Sequence, residues 1–184
     1  MPFLTCALEG LIIVEPAVFE DSRGYFFEAY NQNLFHENGI HCHFVQDNQS
    51  RSSYGVIRGL HYQLNPFAQA KLVRVLEGEI LDVAVDIRKN SPTYGQHFSI
   101  LLSSENKKQL FLPPGFAHGF SVLSDVAIVL YKCDAFYNKQ SEAGIRYNDD
   151  DLQINWQVIE GKEIISEKDL QLPFFKDATS NFEF

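Results

Sequence analysis

The sequence is short of the residues that staple, anchor or load a protein. Its 184 residues include only three cysteines, Cys6, Cys42 and Cys133, an odd number with no Cys-x-x-Cys spacing. A disulfide framework or a zinc ribbon is therefore not expected, and a reducing compartment is the simplest setting. The N-terminal apolar stretch Leu11-Ile12-Ile13-Val14 is flanked by Glu9 and Glu15 and carries no basic leader. It is too short to cross a bilayer or to act as a secretion signal, so the expectation is a cytoplasmic protein without a membrane partner. Positive charge is the minority, with 15 Lys and Arg against 24 Asp and Glu for a net charge of −9, which argues against nucleic acid as a partner. An anionic small molecule stays possible, because fields are screened beyond about 8 Å and a few local cations outweigh the global sign. No Gly-x-Gly-x-x-Gly fingerprint occurs, and no low-complexity segment, long linker or internal repeat divides the chain. One domain spanning residues 1–184 is expected.

What the chain does have is aromatic and β-branched residues, including 16 Phe and 8 Tyr, which favour strands. The most regular segment is Glu79-Ile80-Leu81-Asp82-Val83-Ala84-Val85-Asp86-Ile87, whose period-two alternation predicts a strand with one face in a core and the other on something polar. Strand-like runs are also read at Gly24–Tyr30, Gly55–Gln63, Lys71–Leu76, Phe98–Leu102, Gln109–Leu112, Gly119–Leu123 and Val126–Tyr137. Glu77-Gly78, Asn90-Ser91-Pro92, Ser103-Ser104-Glu105-Asn106 and Ser124-Asp125 supply turns between them. Many short strands at this spacing predict a mainly β barrel or jelly roll. Helices are expected to be brief: one capped by Asn31 and ending before Gly39, another started by Ser166 with Asp169.

Two histidines, His61 in Arg58-Gly59-Leu60-His61-Tyr62-Gln63 and His118 in Pro114-Gly115-Phe116-Ala117-His118-Gly119-Phe120, stand where a cupin-type barrel places metal ligands. The rest of such a ligand set is missing. Gln63 replaces the second histidine of a His-x-His pair, and no acid occurs between His61 and Glu77, where the cationic Lys71 arrives instead. A cation beside two imidazoles disfavours a divalent metal and suits stabilisation of an anion formed on a substrate. No metal is expected. A lone histidine is more often a hydrogen-bonded core residue, but Arg58 and Lys71 sit in strands that otherwise read as apolar, and such polar groups require a reason. Strict alternation puts Arg58 and His61 on opposite faces, so Gly59 must permit a bulge if both are to reach one pocket. Tyr131, Cys133, Ala135 and Tyr137 share a face, two phenols separated by small side chains; core aromatics with hydroxyls at a rim explain this as readily as a ligand site. The polar run Gln46–Arg51 reads as a solvated edge or a binding surface, and Ser166-Glu167-Lys168-Asp169 taken alone reads as an exposed turn.

Across the chain these strings together resemble one family. Phe44-Val45-Gln46-Asp47-Asn48, Gly55-Val56-Ile57-Arg58-Gly59-Leu60-His61-Tyr62-Gln63, Ala70-Lys71-Leu72-Val73-Arg74-Val75, Pro114-Gly115-Phe116-Ala117-His118-Gly119-Phe120 and Leu130-Tyr131-Lys132-Cys133 are similar to the dTDP-4-dehydrorhamnose 3,5-epimerases, as are Arg23-Gly24-Tyr25-Phe26-Phe27-Glu28 and Ser166-Glu167-Lys168-Asp169. The similarity runs in order from about Gly10 to Pro173, with small departures at Asp150, where proline is common, and Asn90, where glycine is common. The resemblance implies a cupin-like double-stranded β-helix, or jelly roll, with a few short helices. It also implies a cofactor-independent sugar-nucleotide epimerase of dTDP-L-rhamnose biosynthesis. The implied substrate is a dTDP-4-keto-6-deoxyhexose, and the implied assembly is a homodimer exchanging N-terminal strands.

Carried over by position, His61 is the implied base, Asp169 the carboxylate that orients it, Tyr131 the acid on the opposite sugar face and Lys71 the cation near the enolate. His118 lies beside the same pocket. Arg23, Arg58 and Lys168 match diphosphate contacts, and Glu28, Gln46, Asn48 and Tyr137 match nucleotide or sugar contacts. Three other readings compete: a mono-epimerase or ketoisomerase of the same substrate class, a metal-dependent cupin, and a non-catalytic sugar-binding barrel.

Overall fold

Short alternating segments separated by turns give an almost entirely antiparallel β structure in the computed structural model, which describes residues 1–184. The first half holds β1 (Phe3–Thr5), β2 (Ile12–Val14), β3 (Phe19–Asp21), β4 (Gly24–Phe26), α1 (Gln32–Glu37), β5 (Gln46–Ser53), β6 (Ile57–Gln63), β7 (Lys71–Glu77) and β8 (Glu79–Asp86). The second holds β9 (His97–Ser103), β10 (Gln109–Leu112), β11 (Phe116–Val122), β12 (Val126–Cys133), β13 (Glu142–Gly144) and α2 (Glu167–Leu170). Six strands form one sheet in the order β1-β2-β10-β7-β12-β5, five form a second in the order β13-β6-β11-β8-β9, and β3 with β4 makes a separate two-stranded ribbon. Neither helix is long and apolar enough to cross a membrane.

Inward residues of the two main sheets meet in a shared core: Val73, Val75, Leu110, Leu112 and Val129 from one sheet face Ile80, Ala84, Leu102, Phe120 and Val122 from the other. Each of these side chains larger than alanine contributes about 1.5–3 kcal/mol when withdrawn from water. Along β7 and β12 the inward positions change character toward one end, from Val75 and Val73 to Lys71, and from Ala127 and Val129 to Tyr131. The apolar end closes the jelly roll and the polar end opens to solvent.

The alternation in β8 is correct, and both of its faces are buried. Every residue from Ile80 to Asp86 is buried. Leu81, Val83 and Val85 pack outside the sheet beneath Leu152, Trp156 and Phe182, while Ile80, Asp82 and Ala84 point into the barrel. The long C-terminal segment covers the outer, apolar face of Leu81, Val83 and Val85. Its tail is held by Tyr62, whose hydroxyl donates to the Thr179 carbonyl at 2.6 Å, and by Ser180, whose hydroxyl donates to the Ile87 carbonyl at 2.6 Å. Asn31 caps α1 with its side-chain oxygen, and Ser166 caps α2 likewise. The strand expected over Gly24–Tyr30 stops at Phe26, and that expected over Val126–Tyr137 stops at Cys133. Asn90 has φ +64°, the left-handed conformation that explains why glycine suits the position.

Candidate active site

A bulge builds the site. Pairing of β6 with β11 shifts by one residue between His118↔His61 and Phe120↔Arg58, so Gly59 and Leu60 on β6 stand opposite the single Gly119 on β11. Arg58 and His61 thereby reach the same cavity. Gly59 makes the shift possible: its φ is +124°, and a Cβ there would lie 2.6 Å from Gly119 Cα and 2.7 Å from the His118 carbonyl oxygen.

The cavity has a volume of about 580 Å³ and opens at the polar end of the barrel, a size suited to a small organic ligand. His61, Lys71, His118 and Tyr131 line it, together with Gln46, Asn48, Arg58, Tyr137, Lys168 and Asp169. Those ten came from segments as distant in sequence as β5 and α2. Arg23 and Glu28 do not reach it. Both belong to the N-terminal ribbon region, which pairs with neither main sheet; Arg23 is exposed at the ribbon turn and ion-paired to Asp21, and Glu28 is exposed beyond β4.

His61 and Asp169 form a dyad, with Nε2 2.7 Å from Asp169 Oδ1. The second carboxylate oxygen accepts the Gly59 N–H at 3.4 Å. Asp169 is buried, not part of an exposed turn: α2 lies against β6 and turns this carboxylate inward. Burial alone would push the Asp169 carboxyl up. The His61 hydrogen bond and charge, with the Gly59 and Ser166 bonds, outweigh that and hold it below the ordinary carboxylate range. A second dyad sits deeper, His118 Nε2 2.8 Å from Asp82 Oδ1, with Asp82 fully buried and its Oδ2 unpartnered.

Lys71 extends into the cavity and donates to the His61 carbonyl at 3.4 Å. Burial pulls its pKa below the usual lysine value, an effect opposed by Cys133, Asp82 and Glu142. Burial pushes the Tyr131 phenol up, so it stays protonated at neutral pH; Cys133 adds to this and Arg58 opposes it. Arg58 Nε donates to Ser52 Oγ at 3.1 Å, which fixes its guanidinium. At the mouth, Lys168 Nζ donates to Glu142 Oε1 at 2.6 Å and the Tyr137 hydroxyl donates to Glu142 Oε2 at 2.9 Å. Glu142 was not singled out from the sequence; it stands on a three-residue strand with no periodic signal to mark it. The polar run on β5 is both things the sequence allowed: an edge strand, and a cavity wall through Gln46, Asn48 and Ser50. Arg58, Lys71 and Lys168 outnumber Glu142 and Asp169 in the wall, giving a locally cationic pocket in an acidic protein.

No three His, Cys, Asp or Glu side chains converge as a metal-ligand group. The family model for dTDP-4-dehydrorhamnose 3,5-epimerase matches residues 5–177. The chain belongs to that family. The enzyme of that name from Shigella flexneri is 50% identical over 179 residues, covering 97% of this chain and 98% of its own. The crystal structure of the Elizabethkingia anophelis NUHP1 dTDP-4-dehydrorhamnose 3,5-epimerase superposes with a TM-score of 0.92 at 55% identity, over 96% of this chain and 97% of that one. A dTDP-6-deoxy-D-glucose-3,5-epimerase from Legionella pneumophila, solved in complex with dTDP-4-keto-L-rhamnose, gives a TM-score of 0.90 at 46% identity, over 94% of this chain and 92% of that one. The epimerase family and its cupin-like jelly roll thus agree with the two-sheet barrel, and the chain is an epimerase.

Proposed function

We propose that the cavity converts dTDP-4-dehydro-6-deoxy-D-glucose to dTDP-4-dehydro-L-rhamnose, in dTDP-L-rhamnose biosynthesis, by inverting C3 and C5 of the sugar. The ketone at C4 acidifies the hydrogens on both neighbours, so one set of groups serves both centres. His61 removes each proton. Asp169, bonded to its Nε2, sets the tautomer so that the other ring nitrogen faces the sugar. The electron pair left by the proton moves onto O4, and the ammonium of Lys71 stabilises that enolate oxygen, with His118 beside it. Tyr131 returns a proton from the opposite face. Each positioned acid or base is worth about 10²–10⁴ in rate. No electrons leave the sugar, so the sequence of steps needs no redox partner.

Arg58 and Lys168 hold the diphosphate, and Gln46, Asn48 and Tyr137 meet the nucleotide or the sugar. Arg23 and Glu28 serve from a second copy of the chain. The β3–β4 ribbon supports this assignment, because it exposes Phe19, Tyr25 and Phe26 at 66%, 58% and 70% of their surface. Aromatics so placed are costly to leave wet and suit insertion into the cavity mouth of a homodimer partner. The observation that carries the catalytic reading is the His61–Asp169 contact inside a cavity that also holds Lys71 and Tyr131. Incubation with the 4-keto sugar in deuterated water, read by NMR, tests it: deuterium is expected at both C3 and C5, and at neither with His61→Ala. Label at neither carbon with the unaltered protein would end the proposal.

A further inference from the structure

Gln63 occupies the place where a metal-binding cupin carries its second histidine, and its side chain has a different task. Nε2 donates to the Phe67 carbonyl at 2.6 Å and to the Phe136 carbonyl at 3.3 Å, while Oε1 accepts the Asn138 N–H at 2.6 Å. Both amide hydrogens and one lone pair are thereby used by backbone. Two more glutamines hold the same segment: Gln69 Nε2 donates to the Ala135 carbonyl at 2.7 Å, and Gln46 Oε1 accepts the Tyr137 N–H at 3.1 Å. Residues 135–138 lie within the connection from β12 to β13, which has no helix or strand, so these side chains replace a strand ladder.

At the centre of that segment stands Tyr137. The residue is 55% exposed, and the hydrogen bond of its side chain runs from its hydroxyl to Glu142. With one hydrogen bond on the side chain, the backbone beneath it sets where the aromatic face points.

We propose that Gln63, with Gln69, is a positioning residue for the nucleoside end of the substrate, holding residues 135–138 so that Tyr137 stands over the cavity mouth where a pyrimidine ring can lie on it. The inference rests on the nucleotide-sugar reading above. Gln63 lines the cavity wall but is buried with its amide spent on backbone, so its part is to act through Tyr137.

The test compares thymidine diphosphate with inorganic pyrophosphate as calorimetric probes, since pyrophosphate shares the cationic contacts and lacks the base. Gln63→Leu keeps the volume and removes all three bonds. It is expected to weaken thymidine diphosphate binding about tenfold, or roughly 1.4 kcal/mol, and to raise KM by the same factor. Pyrophosphate affinity and kcat should stay within about twofold. In a Tyr137→Ala background the same change should add less than about twofold, because residues acting as one unit are not additive. Gln69→Leu, which removes only the Ala135 bond, is expected to show a smaller effect of the same pattern and serves if Gln63→Leu does not fold. A parallel loss of pyrophosphate binding would overturn the inference, as would independent, additive effects of Gln63 and Tyr137, or thymidine diphosphate affinity unchanged by Gln63→Leu or by Tyr137→Ala. Failure of the catalytic reading shows separately, as absence of deuterium exchange in a protein that still binds thymidine diphosphate.

Discussion

Asp169 grips β6 twice, taking His61 Nε2 on one carboxylate oxygen at 2.7 Å and the Gly59 N–H on the other at 3.4 Å. The same bulge that turns His61 into the cavity thus offers the backbone donor that fixes its partner. The His61–Asp169 dyad and the strand irregularity are one structural unit.

Asp169→Asn tests the unit. The amide keeps the shape but presents an N–H2 group to one of the two donors, so the imidazole loses its fixed tautomer. A fall in kcat on the order of 10²–10⁴-fold is expected, with KM little changed. Steady-state kinetics on the 4-keto sugar measure both; a normal kcat would show that the carboxylate does not orient the base.

Tyr131→Phe separates proton removal from proton return. The phenol is held protonated by burial and lies in the wall with His61. Without it, solvent deuterium should still enter the sugar while inversion slows by about 10²-fold, most plainly at C5. Product analysis by NMR decides, and full inversion at the ordinary rate would remove Tyr131 from the acid role.

The strands were largely legible because alternation is a local property. β10 was read to the residue, and both short helices were announced by their capping side chains. What period-two reasoning could not see was covering by distant chain: β8 reads as one core face and one face on something polar, yet its apolar side chains pack outward under Trp156 and Phe182 while Asp82 turns into the barrel against His118. Arg58 and His61 read as facing apart until one glycine at positive φ inserts an extra residue. The His61–Asp169 pair spans 108 positions, and no local pattern carries such a contact; only the resemblance pointed to it. Gln63 drew notice for what it replaced, whereas its three bonds to loop backbone left no trace in composition or spacing. Arg23 and Glu28 matched the family's motif but lie off this chain's own cavity, because their ribbon pairs with neither sheet.

On the proposed mechanism, Lys71 is expected to set the alkaline side of the rate profile. Burial lowers its pKa, against partial opposition from Cys133, Asp82 and Glu142, so the ammonium loses its proton below the ordinary lysine value of about 10.4. Enolate stabilisation is present below that folded pKa and vanishes above it. The kcat profile should therefore fall before pH ~10. Lys71→Met should reduce kcat by about 10²–10³-fold and remove that limb. An unchanged limb in the variant would assign it to another group, with the Tyr131 phenol next in line at higher pH.

Acid stability should depend on Asp86, away from the chemistry. Its carboxylate is fully buried and accepts from Arg88 Nε at 2.9 Å, Arg88 Nη2 at 2.8 Å, Ser91 Oγ at 2.6 Å and Thr93 Oγ1 at 2.7 Å. Burial alone would raise this carboxyl, but Arg88, Ser91 and Thr93 together hold it below the ordinary range. The folded pKa is therefore lower than the unfolded value of about 3.9. The stabilisation is fully present above pH ~4 and is lost as pH falls through the folded value, where the native carboxylate must take up a proton. Asp86→Asn turns an amide N–H2 toward donors and leaves Arg88 without its counter-charge, at a cost of about 3–5 kcal/mol at neutral pH. Denaturant unfolding at several pH values should show the variant less stable at pH 7 and with a shallower acid slope, since the titrating group is gone. Equal slopes for both proteins would mean that acid unfolding is governed by other carboxylates, Asp169 first among them.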